Sequence, residues 1–388
     1  MRGRASICCS VVFIVASASF IKWLPDPFMW CGIAGFLLSA VAMWCSWPQK
    51  HARVIWYNVG ICGLILGGAE GFLVAKAKRA GSGSSVKFEG NYTQNYMGEH
   101  PVMGYGPQKT GAVNSRKIVE DELIYDVTYT ILPNGLREAC CGNSQSRAIL
   151  FFGGSFAFGE GVNDRETLPC VVQRHTEKAY AMYNFGFHGY GPHQMVAALQ
   201  EGLVSELVKE SPVHVFYLAG LFHVRRPGGV KQLNGPQYII DEDGLLVRDG
   251  FFADRESRRI RSGWQRKLQI QAEKSHIYQA VVAARFKEFD EAIELYMRSV
   301  QEAREQVALQ FPKAKFSVVL WDRVTEEANV MRMSLEEEGF VVHSTLDIFD
   351  EQRAVAGDYV LSPHDAHPSP AAFTAVGKYL ADEVIEVN

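Results

Sequence analysis

Ser155 stands where a reactive hydroxyl would have to stand. It follows Ile149-Leu150-Phe151-Phe152-Gly153-Gly154, an apolar run ended by two glycines. A buried strand delivers a side chain to the carboxyl edge of a sheet in this way. Gly153 and Gly154 permit a sharp turn, after which the Ser155 N–H can point at a developing oxyanion. A serine becomes a nucleophile only beside a base and an oxyanion site. In Ser362 to Ser369, His367 can take the serine proton and return it to a leaving group, while Asp365 can orient the ring and stabilise the imidazolium. Between these stretches lies Asn184 to Pro192, glycine-dense backbone that can approach a substrate closely and offer N–H donors. Plain readings stand beside these: Gly-Gly-Ser is also an ordinary loop, and the glycines of 184–192 also suit a strand-to-helix connection.

Bringing such groups together requires strands that end at one edge. Ala148 to Phe152, Tyr180 to Phe185, Val213 to Leu218, Phe316 to Trp321 and Phe340 to His343 read as strands. Leu168 to Ala179, Met195 to Lys209, Thr325 to Glu338 and Pro370 to Val384 read as helices. Strands separated by helices imply parallel pairing with right-handed crossovers, hence a three-layer α/β/α domain on a mainly parallel sheet. Ahead of it, Leu123 to Leu132 alternates around Tyr125, Val127 and Tyr129, and Pro133-Asn134-Gly135 signals a turn. A hairpin ending near Arg137 is therefore expected, with Pro101 to Pro107 as the loop leading into it. Another hairpin is expected at Gln237 to Val247, where Asp241-Glu242-Asp243-Gly244 divides two apolar runs. The charge-rich tract at about 254–310 reads as a helical insertion or cap with a solvated face. The expected organisation is an anchor at 1–79, a linker and β-rich lead-in at 80–146, and an α/β domain at 147–388.

The order of these motifs resembles the SGNH (GDSL-like) hydrolase family over residues 147–388, and membrane-anchored relatives extend the likeness to the lead-in hairpin. The resemblance implies Ser155 as nucleophile, His367 as base and then acid, Asp365 as its orienting acid, and the N–H groups of Ser155 and Gly189 as the oxyanion hole. Many members have Gly-Asp-Ser where this chain has Gly-Gly-Ser, and one more residue between acid and base. That shorter spacing leaves open whether Asp365 or another group orients His367. The family's third motif carries an asparagine that completes the oxyanion hole, and Ala219 to Arg226 contains none. Phe222 cannot donate a hydrogen bond; His223 is either a substitute donor or a structural ring. Losing one such donor costs about 2.7 to 4 kcal/mol of transition-state stabilisation.

The resemblance further implies a serine esterase or O-acyltransferase, needing no cofactor, that acts on a small ester such as acetyl on a cell-envelope polysaccharide. The competing class is a noncatalytic envelope module binding glycan or a partner protein in the same cleft. Arg225 and Arg226 either neutralise an acidic substrate or flank a solvated turn. Phe187 and Tyr190 read as core or as pocket walls. His188, His193 and His364 lack the spacing that would join His367 and Asp365 around a metal. Glu160 and Asp164 read as loop polarity.

The balance of charge over 388 residues, net −4, carries no nucleic-acid signal. Three apolar stretches, 7–23, 28–47 and 54–75, are each near the roughly 20 residues that cross a bilayer. Trp23, Trp30, Trp44, Trp47 and Trp56 sit near their ends, where interfacial aromatics belong. Arg2 and Arg4 place the amino terminus in the cytoplasm, as Lys50, His51 and Arg53 do the second loop, so three crossings leave everything after Lys76 extracytoplasmic. Lys76, Lys78 and Arg79 oppose this orientation, and Glu70 is a cost within the third stretch. A cleavable signal peptide competes for the first stretch. Residues 80–85 read as a flexible linker. Cys8, Cys9, Cys31, Cys45 and Cys62 lie in the apolar stretches and pack as small hydrophobes. In an extracytoplasmic domain Cys170 can pair with Cys140 or Cys141.

Overall fold

A computed structural model describes residues 69, 71–73, 85–94, 96–140, 145–229, 234–254 and 289–385. The chain divides into two units, residues 1–83 with 260–287 and residues 84–259 with 288–388; the account below concerns the second. The apolar stretches expected to cross a membrane lie outside the described residues, apart from Ala69 and 71–73. Among the described residues no helix is long and apolar enough to cross a membrane.

The lead-in comprises β1 (Val86–Glu89), β2 (Met97–His100), β3 (Gly104–Pro107), β4 (Gly111–Val119) and β5 (Glu122–Ile131). The expected turn at 133–135 is present, with Ile131 bridging Arg137 antiparallel and the Leu132 N–H donating to the Leu136 carbonyl at 2.8 Å, but β5 also has a strand partner ahead of it. β5 pairs antiparallel with β4, which precedes it, and β4 also pairs with β1. The tight turn is Glu120-Asp121, both at positive φ (51° and 66°), the backbone a twisted two-residue hairpin loop demands. Acidic residues rarely announce such a turn, whereas Pro133-Asn134-Gly135 announces the next one, after which the chain returns along β5 only as far as the bridge at Arg137 and the Glu138 N–H bond to the Thr130 carbonyl. Pro101 to Pro107 is not a plain loop either, since β2 and β3 form a small antiparallel hairpin there.

The α/β part begins with β6 (Arg147–Gly153), α1 (Ser155–Phe158), α2 (Leu168–His175), β7 (Ala181–Asn184), α3 (Pro192–Gln200), α4 (Leu203–Leu207) and β8 (Ser211–Gly220). After the expected hairpin, β9 (Pro236–Ile240) and β10 (Leu246–Phe251), come α5 (Phe289–Gln310), β11 (Lys315–Trp321), α6 (Glu326–Glu337), β12 (Val341–Ser344), α7 (Thr345–Ile348), α8 (Glu351–Ala356), β13 (Val360–Ser362), β14 (Asp365–Pro368) and α9 (Pro370–Tyr379). Strands β12-β11-β8-β6-β7 form one five-stranded parallel sheet in that order. The sheet strands, renumbered by sequence, read 2-1-3-4-5, so the order reverses between β6 and β8. Ligands of open α/β sheets bind outside the carboxyl ends of strands at such a switch point.

Near-continuous apolar strands show that both sheet faces are covered: Ile149, Leu150, Phe151 and Phe152 of β6 are all 1% exposed or less. One face packs on α3 and α5, the other on α2 and α9. Helix α5 corrects the reading of 254–310 as a solvated cap, for its described part is core. Tyr296, Val300, Ala303 and Val307 recur at helical spacing and are fully buried, while the Glu and Arg residues take the outer face. Residues 255–288 of that tract lie outside the described residues. The expected helix at 195–209 is two helices, because Gly202 adopts φ +73° between them.

Candidate active site

Ser155 is the first residue of α1, immediately past β6 at the switch point. Its backbone entry tolerates no larger neighbour: a Cβ on Gly154 would fall 2.5 Å from Arg226 Nη1, 2.9 Å from His223 Nε2 and 2.9 Å from the Tyr190 carbonyl oxygen. The second glycine of the pair is thus a space requirement as well as a turn. The Ser155 side chain meets His367, 212 positions away, with Oγ 2.9 Å from Nε2. His367 Nδ1 lies 2.6 Å from Asp365 Oδ1, which also accepts the His367 backbone N–H at 3.1 Å. An ionised carboxylate at Nδ1 fixes the proton there and leaves Nε2 as the acceptor for the serine.

The two-residue spacing of Asp365 and His367, which left the orienting group open, has a structural explanation. Residues 365–368 form β14, paired antiparallel with β13, and alternate residues of a strand share a face. Asp365 and His367 therefore point the same way, with exposed Ala366 pointing opposite. Ser369 then caps α9 by accepting the Ala372 N–H, which fixes where the hairpin ends.

Three contributors were illegible in the sequence. Lys117 of β4, 248 positions from its partner, places Nζ 2.8 Å from Asp365 Oδ2. Glu160, read above as loop polarity, is 9% exposed and lies with Oε2 2.7 Å from His188 Nδ1 and 3.5 Å from His367 Nε2. Arg137 is buried and gathers the backbone around Glu160: it donates to the carbonyls of Phe158, Gly159 and Val162 and to Asp164. Its guanidinium stacks between Tyr129 and Phe158, 4.5 and 4.7 Å from the ring centres. A lone charged residue in a lead-in segment gives no local signal for such contacts.

The charges follow from these distances. Burial opposes ionisation of Asp365, but the hydrogen bond and charge of His367, with Lys117 and the His367 amide, hold its carboxyl well below the usual range. Burial likewise pushes His367 down, and the Asp365 hydrogen bond with the charges of Glu160 and Asp365 more than reverses it, so its pKa is raised. Burial would raise Glu160, yet His188, then His367 and Lys117, push it down to about 2. Asp365 and Glu160 are therefore both anionic at neutral pH, one beside each ring nitrogen of His367.

Ser155, Glu160, Gly189, Asp365 and His367 open on one cavity of about 1150 Å³. Gly189, at φ +77°, belongs to a turn held from the lead-in, where Tyr105 Oη donates to the His188 carbonyl at 3.1 Å. Phe156, Phe222, Trp321, Phe349 and Tyr359 give the cavity aromatic walls, and Arg225, Arg226 and Arg323 line it as well. His223 is not on the wall. Its ring is fully buried, with Nδ1 3.0 Å from Tyr217 Oη and Nε2 without a partner, 2.9 Å from where a Cβ on Gly154 would stand. Arg226 does reach the wall, donating to the Tyr190 carbonyl and lying 4.9 Å over Phe222. Phe187 and Tyr190 are core, not pocket wall. His193 is buried against the Phe252 ring, and no metal-binding cluster of three or more His, Cys, Asp or Glu occurs among the described residues.

No family model and no curated protein matches the sequence. Among solved structures, a member of the lipolytic protein G-D-S-L family from Veillonella parvula shares 14% identity at a TM-score of 0.36, covering 62% of this chain and 98% of its own. An acetyl xylan esterase from Butyrivibrio proteoclasticus shares 12% at 0.30, covering 62% and 64%. An alpha/beta hydrolase from the metagenome of Lake Arreo shares 14% at 0.33, covering 63% and 96%. Likenesses this slight leave the functional reading to the side chains themselves.

Proposed function

We propose that this chain is a serine esterase or O-acyltransferase of the SGNH type, acting on a small ester carried by a larger, sugar-like molecule. The observation that carries the reading is the run Ser155 Oγ, His367 Nε2, His367 Nδ1, Asp365 Oδ1, joined at 2.9 and 2.6 Å on the rim of an open cavity. Ser155 attacks the ester carbonyl as His367 takes its proton. The Ser155 and Gly189 N–H groups are the donors assigned to the oxyanion in this reading, and His367 returns the proton to the departing alcohol. Water or a sugar hydroxyl then releases the acyl group from Ser155 by the same steps in reverse. The roughly 1150 Å³ of the cavity far exceeds an acetyl group, and its aromatic walls suit the apolar faces of sugar rings.

An extracytoplasmic place, tethered through residues 7–75, belongs to the same proposal. It is supported by the disulfide joining Cys140 to Cys170, whose Cα atoms are 5.0 Å apart, since such bonds persist in oxidising compartments. A second reading, a glycan-binding module without catalysis, is favoured by the third motif, which lacks the asparagine and where Phe222 cannot donate a hydrogen bond. A serine-reactive fluorophosphonate separates the two. Labelling that vanishes in Ser155→Ala supports the enzyme, and folded protein that stays unlabelled supports the binding module.

A further inference from the structure

Glu160 occupies a position that a loop carboxylate would not take by chance. The backbone on either side is turned by glycines at positive φ, Gly159 at +81° and Gly161 at +83°. At φ +83° any side chain on Gly161 would be strained, and its Cβ would also press on Leu361 Cδ1 and the Tyr125 ring. The Glu160 N–H donates to the Ser155 carbonyl at 2.9 Å and the Gly161 N–H to Tyr129 Oη at 3.0 Å. Arg137 holds the carbonyls of Gly159 and Val162. Beyond the carboxylate, His188 is packed among the rings of Tyr92, Tyr96, Phe158 and Phe187, which fix the partner at 2.7 Å. Leaving a carboxylate buried carries a large cost unless it is paired, and here the same oxygen that pairs with His188, Oε2, lies 3.5 Å from His367 Nε2, the nitrogen that also faces Ser155.

Resting on the reading of Ser155 and His367 as nucleophile and base, we propose that Glu160, held by His188, is a second positioning carboxylate for the base. It stabilises the imidazolium from the Nε2 side while Asp365 does so from the Nδ1 side. The consequence is a stronger base in the attack step and a site that switches off early on acidification, because a protonated Nε2 is held by Glu160 instead of receiving the serine proton. The charged and titratable groups facing His367 are Asp365 on β14, Glu160 after α1, and Lys117 on β4 through Asp365; His188 stands behind Glu160. Arg225, Arg226, Asp322, Arg323, Glu327 and His364 line the wider cavity and are unchanged across the variants below, so differences among these isolate Glu160.

The test is the pH dependence of kcat/KM for p-nitrophenyl acetate in wild type, Glu160→Gln and Glu160→Asp, with the imidazole resonances of His367 titrated by NMR in a Ser155→Ala background. Removing one anion makes the imidazolium less favourable. Glu160→Gln is thus expected to move the acid limb and the His367 titration to lower pH and to lower the plateau rate by about tenfold. Glu160→Asp, which keeps the charge, should stay nearer wild type, and Glu160→Ala takes the place of the amide variant if that does not fold. An acid limb and a His367 titration that both stay put in a folded charge-removing variant would overturn the inference and leave Glu160 and His188 as a structural pair. Absence of esterase activity in wild type would count against the reading of the function instead, and the NMR titration would still decide the role of Glu160.

Discussion

Two sheets meet at Ser155 and contribute different things. The parallel sheet and the β13–β14 hairpin supply the atoms that would react: Ser155 after β6, Gly189 after β7, and Asp365 and His367 ahead of α9. The antiparallel lead-in supplies none of these but sets their charge and position, through Lys117 on Asp365, Arg137 on the loop of Glu160, and Tyr105 on the turn of Gly189. The lead-in, expected from sequence as a β-rich unit after a short linker, thus supports the site from behind the residues that line its cavity. Reacting groups must sit at strand ends, where the backbone leaves them exposed to a ligand. Groups that only tune charge can come from any surface that packs within a few ångströms.

The division makes predictions of graded size. On the reacting side, Asp365→Asn removes the charge that fixes the His367 tautomer, and kcat should fall on the order of 10⁴-fold with folding intact. A loss below about tenfold in steady-state kinetics would mean that another carboxylate, Glu160 being nearest, orients the ring. On the lead-in side, Arg137→Ala leaves Asp164 and three backbone carbonyls without their buried donor. Denaturant unfolding should register a loss of about 3 kcal/mol or more. A value within about 0.5 kcal/mol, the size of a neutral surface change, would show that the clamp is dispensable.

A smaller effect concerns pH and has a definite sign. His367 must be neutral at Nε2 to accept the serine proton, and its pKa is raised, so activity should decline as pH falls through a midpoint above 6.5, the ordinary histidine value. The charge of Lys117 acts against the imidazolium. Lys117→Met should therefore move that midpoint to higher pH, opposite to the shift expected for Glu160→Gln, with a plateau rate within about tenfold of wild type. Shifts of the same sign in the two variants would show that they act through a common distortion and not through charge.

The legible part of the fold was the part written in local patterns. Apolar runs ended by glycine marked β6 and the position of Ser155, and Asp-x-His ahead of a Pro-started helix marked the other half of the pair. The strand and helix alternation was sufficient for the parallel sheet. What could not be read required knowing which distant segments touch. Nothing near Lys117 distinguishes it from Arg116, yet β-strand alternation turns Lys117 inward to Asp365 and Arg116 outward. Glu160 looked like loop polarity because its partners, His188 and His367, stand 28 positions and more than 200 positions away. Helix α5 was misjudged because its charge density was read before its spacing. Tyr296, Val300, Ala303 and Val307 form one apolar stripe that the abundance of Glu and Arg obscures.

The central claim is that Ser155 takes the acyl group from an ester. Brief reaction of the intact protein with p-nitrophenyl acetate, followed by acid quench and peptide mass spectrometry, tests it at the atom concerned. The account predicts one acetyl group on the peptide containing Ser155, accumulating further in a variant slowed at deacylation and absent from Ser155→Ala. Turnover of the ester with the acyl group on another residue, or a Ser155→Ala protein as active as wild type, would contradict it.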